Sequence, residues 1–348
     1  MKRAALLALL VANVAHANVW DDALRRGEPD VAQDKYDSEM KDGDEHTLLA
    51  NTRGTSKKEV LHQLQLAITS YKAAAAAKPN EGEPWFRLGR LIHSFYLECS
   101  DGYQLQPSMR PLTCPERNPN PPFDKAHAEE CIGYWAEFEK RAPLDPRLSV
   151  GMLGSSDILF ERAILHTRLA THEHLALAAA DYEKILSRED LTDGANENVI
   201  GNLAETYMML NRLDEAIETY REALRGASDT STWYGFAVAL DRDERSRQAL
   251  EVIQSLGREQ RDQFHLKVIK GDTFFVPEGE KFYYFALSDE AFDFDDEAID
   301  NWKRFIDSGA HPQFQPRAKA HLEALLVKKK RTKPSSSPFD PPWRGILR

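Results

Sequence analysis

An all-α fold of stacked helical hairpins follows from three features of the sequence. Apolar residues recur at three- and four-residue steps through most of the chain, the period of an amphipathic helix. Small residues return at a long fixed interval: Ala204 to Ala237 and Ala216 to Ala249 are both 33 residues. Within three copies the small residue of one helix precedes that of the next by 12, at Ala204 and Ala216, Ala237 and Ala249, and Ala286 and Ala298. One such spacing arises by chance, whereas three in one register mark a repeat.

The first residues point to export. Lys2 and Arg3 precede an apolar run from Ala4 to Val14, and Ala15-His16-Ala17 places small residues around a cut after Ala17. That is the layout of a secretory signal peptide over residues 1–17. A bilayer-spanning helix needs about 20 apolar residues, so this run reads as a leader and not as an anchor. No later stretch is apolar enough to span a membrane. The expected compartment is the periplasm or the extracellular space.

Residues 18–55 are polar and charged with no apolar period, and are expected to form an irregular leader with one short helix near Trp20–Arg25. From Ser56 the texture changes. Leu61, Leu64, Ile68 and Tyr71 step along one helix face, and the alanines 73–77 continue it with the best helix former. Pro79 stops that helix. Residues 97–123 are rich in proline and carry Cys99 and Cys114, so they are expected to loop out of the stack. The pattern resumes at Ala128, Ile132 and Trp135, then in a looser pair over 157–168 and 175–186 with Ala178, Tyr182 and Ile185. Phe264–Ile269 and Phe274–Val276 depart from the period and read as short extended segments. Arg317–Lys328 reads as a final helix closing the stack. Residues 329–348 are basic and rich in Pro and Ser, and are expected to be a disordered tail.

Ala67, Tyr71, Ala74 and Pro79, followed by Trp85, Leu88, Gly89 and Ile92 as W-x2-L-G-x2-I, resemble the second helix of one tetratricopeptide repeat and the first helix of the next. Leu203, Ala204 and Tyr207 with Ala216, Tyr220 and Ala223 give a clear copy. Trp233, Phe236, Ala237 and Leu240 with Ala249, Ile253 and Leu256 give the next, and Phe282, Phe285 and Ala286 with Ala298, Trp302 and Phe305 another. The chain is similar to that family over roughly residues 56–328, with gaps at 97–123, 147–156 and 258–280, which implies an all-α tetratricopeptide-type solenoid of nested helix pairs. Gly89 would let two helices approach closely while large residues fill the gaps around small ones.

Charge narrows the class of partner. The body from Asn18 to Val327 carries 36 basic and 55 acidic groups, a net of −19. Such a surface repels nucleic acid. The last 21 residues reverse the sign, with seven basic groups and one acid, and could touch an anionic surface weakly or fold back on the acidic body.

No catalytic signature is present: no G-x-S-x-G elbow, no G-x-x-x-x-G-K-[ST] phosphate loop and no H-E-x-x-H helix. The chain reads as a non-enzyme without a cofactor or a metal. His166, His172 and His174 read as exposed histidines at a helix–helix turn. The acidic run from Asp289 to Glu297 lacks the ordered spacing of a calcium loop and reads as a solvated turn. Three cysteines within 33 residues, Cys99, Cys114 and Cys131, leave an odd count; in an exported protein Cys99 with Cys114 is the disulfide candidate.

The resemblance implies function as well. In that family the first helix of each repeat lines a concave groove that holds a protein or peptide. Stepping around those helices here gives Phe86, Arg90 and His93, then Asn198, Glu205 and Met208, then Tyr234 and Asp241, and finally Tyr283, Leu287 and Glu290. The mixture of aromatic, Met and acidic groups suits a partner segment with basic and apolar residues. Two other classes stand beside it: a structural component of cell-envelope assembly, and a metal or redox module built on Cys99, Cys114 and Cys131.

Overall fold

The computed structural model describes residues 30–98, 123–148, 158–187, 193–225, 229–270, 276 and 279–332; for 193–198 and 332 it describes the backbone alone. These residues form fourteen α-helices and no strand. The signal-peptide expectation and the Cys99–Cys114 pair lie outside them. Among the described residues no helix is long and apolar enough to cross a membrane. The chain divides into two compact units, with the boundary between Asp145 and Pro146. The sequence had marked a single solenoid over 56–328.

The N-terminal unit holds α1 (Val31–Ala50), α2 (Lys57–Ala77), α3 (Glu83–Ile92), a π-helical turn (His93–Glu98) and α4 (Lys125–Arg141). α1 corrects the expected irregular leader over 31–50, while the short helix expected near Trp20–Arg25 lies outside the described residues. Asp30 caps it by accepting from the Gln33 amide at 3.0 Å. Its apolar residues do not segregate to one face, which is why the sequence did not reveal it. Packing on α2 decides its conformation. Gly43 sits on the Tyr71 ring so closely that a Cβ would lie 2.5 Å from it, and the Tyr71 hydroxyl donates to Asp44 at 2.8 Å. α2 opens on Ser56, which accepts from the Glu59 amide at 3.2 Å, and ends just before Pro79 as expected. α3 and α4 form the next pair. Gly89 lies against the Trp135 indole, where a Cβ would fall 2.3 Å away. The expected close approach of these two helices is therefore present.

The C-terminal unit begins with a 3-10 turn, Pro146–Leu148, and then pairs α5 (Ile158–Leu169) with α6 (His172–Leu186) and α7 (Asp193–Met209) with α8 (Leu213–Ala223). The series continues with α9 (Thr230–Arg242) and α10 (Ser246–Leu256), then α11 (Arg258–Lys270), and then α12 (Lys281–Ala291) with α13 (Asp295–Ser308). A 3-10 turn (Pro312–Phe314) leads into α14 (Gln315–Thr332). The six alanines of the register, Ala204, Ala216, Ala237, Ala249, Ala286 and Ala298, are all completely buried. Tyr220 fills the space left by Gly235 in the next pair, where a Cβ would meet its hydroxyl at 2.3 Å.

The repeat is also written in the backbone of the turns. Asn211, Glu244 and Asp293 each lie seven residues after the buried alanine of their first helix, and each has φ near +60°. The amide that follows each one reaches back to a carbonyl of the last helical turn: Arg212 to Tyr207 at 2.8 Å, Arg245 to Leu240 at 2.9 Å and Phe294 to Asp289 at 3.0 Å. That is a Schellman-type ending, which uses a left-handed residue to satisfy carbonyls left over at a helix C-terminus. Ala170 (φ 57°) stands seven residues after buried Ala163, which places the loose α5–α6 pair in the same register.

Two elements depart from expectation. α11 is a helix where extended segments were expected over Phe264–Ile269. Only Phe264 on it is buried, while Leu266 and Ile269 face outward, so its sequence carries no clean helical period. α14 runs on to Thr332, beyond the expected start of the tail. Lys328 pairs with Asp293 and Asp295 at 2.7 and 2.8 Å, and Lys329 pairs with Asp296. The start of the basic segment thus docks on the acidic α12–α13 turn.

Candidate functional site

The residues expected to line an open groove are mostly interior. Glu205, Met208, Tyr234, Asp241, Tyr283 and Leu287 are each no more than 1 % exposed. His93 in the N-terminal unit is also buried, its ring 5.1 Å from that of Trp135. Phe86 is half-buried against Phe138 at 5.5 Å. Arg90 and Glu290 are partly exposed, and the side chain of Asn198 lies outside the described residues. The groove assignment is therefore corrected for the C-terminal unit, because the chain covers that face with its own helices.

α11 supplies one cover. The Phe264 ring stacks on Tyr234 at 3.9 Å and 6° between planes. Arg261 donates to Asp289 at 2.6 Å, and Lys267 pairs with Asp229 at 2.7 Å. α14 supplies another. His321 lies between Asp241 (3.0 Å) and Glu290 (2.9 Å) and stacks on Trp302 with ring centroids 4.8 Å apart. Arg317 donates to Asp241 at 3.1 Å, as do Ser246 at 2.6 Å and Tyr283 at 2.5 Å.

These covers enclose a polar core with two linked clusters. The first is centred on Asp241. Burial would raise its carboxyl, but bonds from His321, Ser246 and Tyr283 outweigh that and hold it below the usual carboxylate range. Burial would likewise push the His321 imidazolium down, yet the Asp241 and Glu290 carboxylates prevail and raise it to about 9. His321 is thus a cation at neutral pH that clamps α14 to α9 and α12.

The second cluster is centred on Arg242, whose guanidinium is fully buried. It pairs with Glu280, stands 3.8 Å from Glu205 Oε1, and lies over the Tyr283 and Phe314 rings at 4.8 and 4.4 Å. Tyr284 donates to Glu205 Oε2 at 2.6 Å. His311 brings Nδ1 to 2.6 Å from Glu280 Oε1, but the two groups meet outside hydrogen-bonding geometry. Burial, reinforced by Arg242, pushes the His311 imidazole down to about 3, so it is neutral at physiological pH.

Sequence reasoning named Glu205, Asp241, Tyr283 and Glu290 but missed Arg242, Glu280, His311, Arg317 and His321. A signal for part of this existed. Asp241 and Arg242 occupy register positions that Met208 and Met209 hold one repeat earlier, and charge at an interior position calls for a partner. The partners come from 38 to 80 residues further along the chain, so no local pattern could reveal them.

The histidine and cysteine readings also shift. His166 is buried, not exposed, and its Nδ1 lies 2.8 Å from that of His174 across the α5–α6 turn. Burial pushes His166 down to about 3. His172 is exposed as expected. Cys131 is buried, and its Sγ donates to the Gly89 carbonyl at 3.4 Å. In the acidic run, Asp289 is interior and only part of the turn is solvated.

Paired helices, a 33-residue register of buried alanines and a recurrent left-handed turn residue fix the architecture. The fold is tetratricopeptide-like. No family model matches the chain, and no curated protein matches it. Among solved structures it is similar to the P58(IPK) TPR domain, at 11 % identity and a TM-score of 0.31 over 88 % of this chain and 81 % of that one. The fold assignment stands on the register and the turns.

Proposed function

We propose that the chain is an exported, non-catalytic helical-repeat scaffold that holds a basic and apolar segment of a protein partner on the first-helix face of its N-terminal unit. The observation that carries this is the surface of α1. The helix has six acidic residues and two lysines. Asp34, Asp37, Asp42, Asp44 and Glu45 are exposed on it, and Leu48 and Leu49 are exposed at its end, 70 % and 49 % respectively. Leu61 on α2 adds a further exposed apolar group. Arg87 on α3 reaches Asp44 at 3.6 Å, which ties the first helices of the two pairs together on one surface. Acidic groups beside exposed leucines complement a segment of Lys or Arg interleaved with apolar residues, and the charges steer its approach. The sealed first-helix face of the C-terminal unit leaves the N-terminal unit as the better platform.

The test is affinity purification from the native envelope fraction, followed by direct binding of the captured partner. Asp34→Lys, Asp37→Lys and Asp42→Lys together should abolish capture and flatten its salt dependence, and Leu48→Ser with Leu49→Ser should weaken it. Capture unaffected by both sets would reject this surface. Export is tested by N-terminal sequencing of the protein recovered outside the cytoplasm, with Asn18 expected first.

A further inference from the structure

We propose that Glu205, Glu280 and His311 form a binding site for one divalent transition-metal ion within the C-terminal unit. This goes beyond the scaffold reading and is independent of it. One ligand atom from each of the three residues lies within 4.8 Å of the other two. Three ligands held on one ion at about 2 Å stand roughly 3–4 Å apart, so a modest side-chain rotation completes the set.

A second observation distinguishes this cluster from an ordinary acidic patch. Glu205 is 1 % exposed and Glu280 is 0 % exposed, yet Oε1 of each lacks a hydrogen-bond partner, as do both ring nitrogens of His311. Buried polar atoms are normally satisfied, so unpartnered oxygens of two buried carboxyl groups beside an unpartnered imidazole nitrogen call for a ligand. His311 Nδ1 approaches Glu280 Oε1 to 2.6 Å without hydrogen-bonding geometry, and the two atoms would move apart to the spacing of roughly 3–4 Å to admit an ion between them. The remaining carboxylate oxygens are occupied: Oε2 of Glu205 accepts from Tyr284, and Oε2 of Glu280 from Arg242. Outer partners of this kind orient metal-binding carboxylates.

Charge points the same way. Two carboxyl groups stand against one guanidinium in a dry interior, where an uncompensated carboxylate is costly. A divalent cation offsets it. Two oxygens and one imidazole suit a borderline ion such as Zn2+ with a fourth position open. His311 has φ +41° just before Pro312, which fixes its place at the α13–α14 turn, and 12 % of its side chain reaches solvent.

The experiment uses the purified full chain, stripped with chelator and titrated with Zn2+ against a chromophoric competitor, and with Co2+ read by its absorption spectrum. One equivalent should bind, with an N/O-ligand cobalt spectrum and no thiolate charge-transfer band. His311→Ala and Glu280→Gln should abolish binding, Tyr284→Phe should weaken it 10- to 100-fold, and His311→Asp, which keeps a ligand, should bind measurably. His174→Ala and the Cys99→Ser, Cys114→Ser, Cys131→Ser triple variant should bind as the parent does. No uptake by the parent, equal uptake by His311→Ala, or loss of uptake in the cysteine variant would overturn the assignment. So would a thermal midpoint that saturating Zn2+ leaves unmoved, because an ion that binds the folded state must raise it.

Discussion

The two units pair helices by one rule and fill their interiors differently. In the N-terminal unit glycines meet rings, Gly43 on Tyr71 and Gly89 on Trp135, and most of the acidic groups of α1 stay in water. The C-terminal unit repeats the rule with Gly235 on Tyr220, then adds Glu205, Asp241, Arg242, Glu280 and Asp289 to its interior. Small-against-large packing thus suffices to nest helix pairs, because close contact and the burial of apolar area need no charges. Asp241 and Asp289 do another task, through His321 and Arg317 of α14 and Arg261 of α11. They fasten α11 and α14, whose own apolar faces are poor, over first helices that would otherwise face solvent.

The sharpest way to break this contrast is to remove the central cation. Arg242→Met should destabilise the C-terminal unit by about 3–5 kcal/mol, because Glu280 and Glu205 would be left buried without their counter-ion. The urea midpoint of that unit should fall while Trp135, in the N-terminal unit, reports an unchanged transition. A shift in both would show that the interior charges are not confined to one unit's stability.

Next in size is the α14 clamp. His321 has its folded pKa raised from 6.5 to about 9. Its contribution is fully present below pH 6.5 and is lost as pH rises through 9. The difference corresponds to on the order of 3 kcal/mol. The C-terminal unit should therefore weaken between pH 6.5 and 9 in chemical denaturation, and His321→Gln should flatten that dependence. A parent protein with no such slope would contradict a charged His321.

Gly89→Ala probes the rule the units share. The added methyl would collide with Trp135, and overpacking of this kind costs about 1–3 kcal/mol. The loss should appear in the N-terminal transition and in the Trp135 emission. Gly235→Ala should do the same in the C-terminal unit, so equal effects would confirm a common rule.

The smallest effect is a gain. Glu244 is an exposed non-glycine residue at φ 62°. Glu244→Gly relieves that strain and should raise the C-terminal midpoint by about 0.5–1 kcal/mol, a value reduced by the added freedom of the unfolded chain. A loss of stability would mean that its side chain does more than tolerate the turn.

The pairs with a full register were legible because their determinants are local. Ala204, Ala237 and Ala286 announce themselves by spacing, and the left-handed turn residues fall at a fixed step behind them. α1 and α11 were not legible, since neither sorts its apolar residues onto one face and each owes its conformation to what it packs against, Tyr71 in one case and Tyr234 in the other. Of the groove residues, the sequence supplied the right positions on the first helices and the wrong environment. Glu205, Tyr234, Asp241 and Tyr283 do face inward from their repeats, but α11 covers Tyr234, α14 covers Asp241, and Tyr284 and Arg242 close on Glu205.

By itself, then, the sequence determined the helical class, the pairing, the 33-residue period and the acidic balance of the surface. All of these arise from side-chain periodicity and charge count, which act over a few turns of helix. Only the tertiary structure decided which first-helix faces are sealed, that α1 and α11 are helices, and that Glu205, Glu280 and His311 converge. The physical reason is distance along the chain. A buried charge must find its partner wherever the fold brings one, and here the partners lie 38 residues away for Arg242 and 80 for Asp241, beyond the reach of any local pattern.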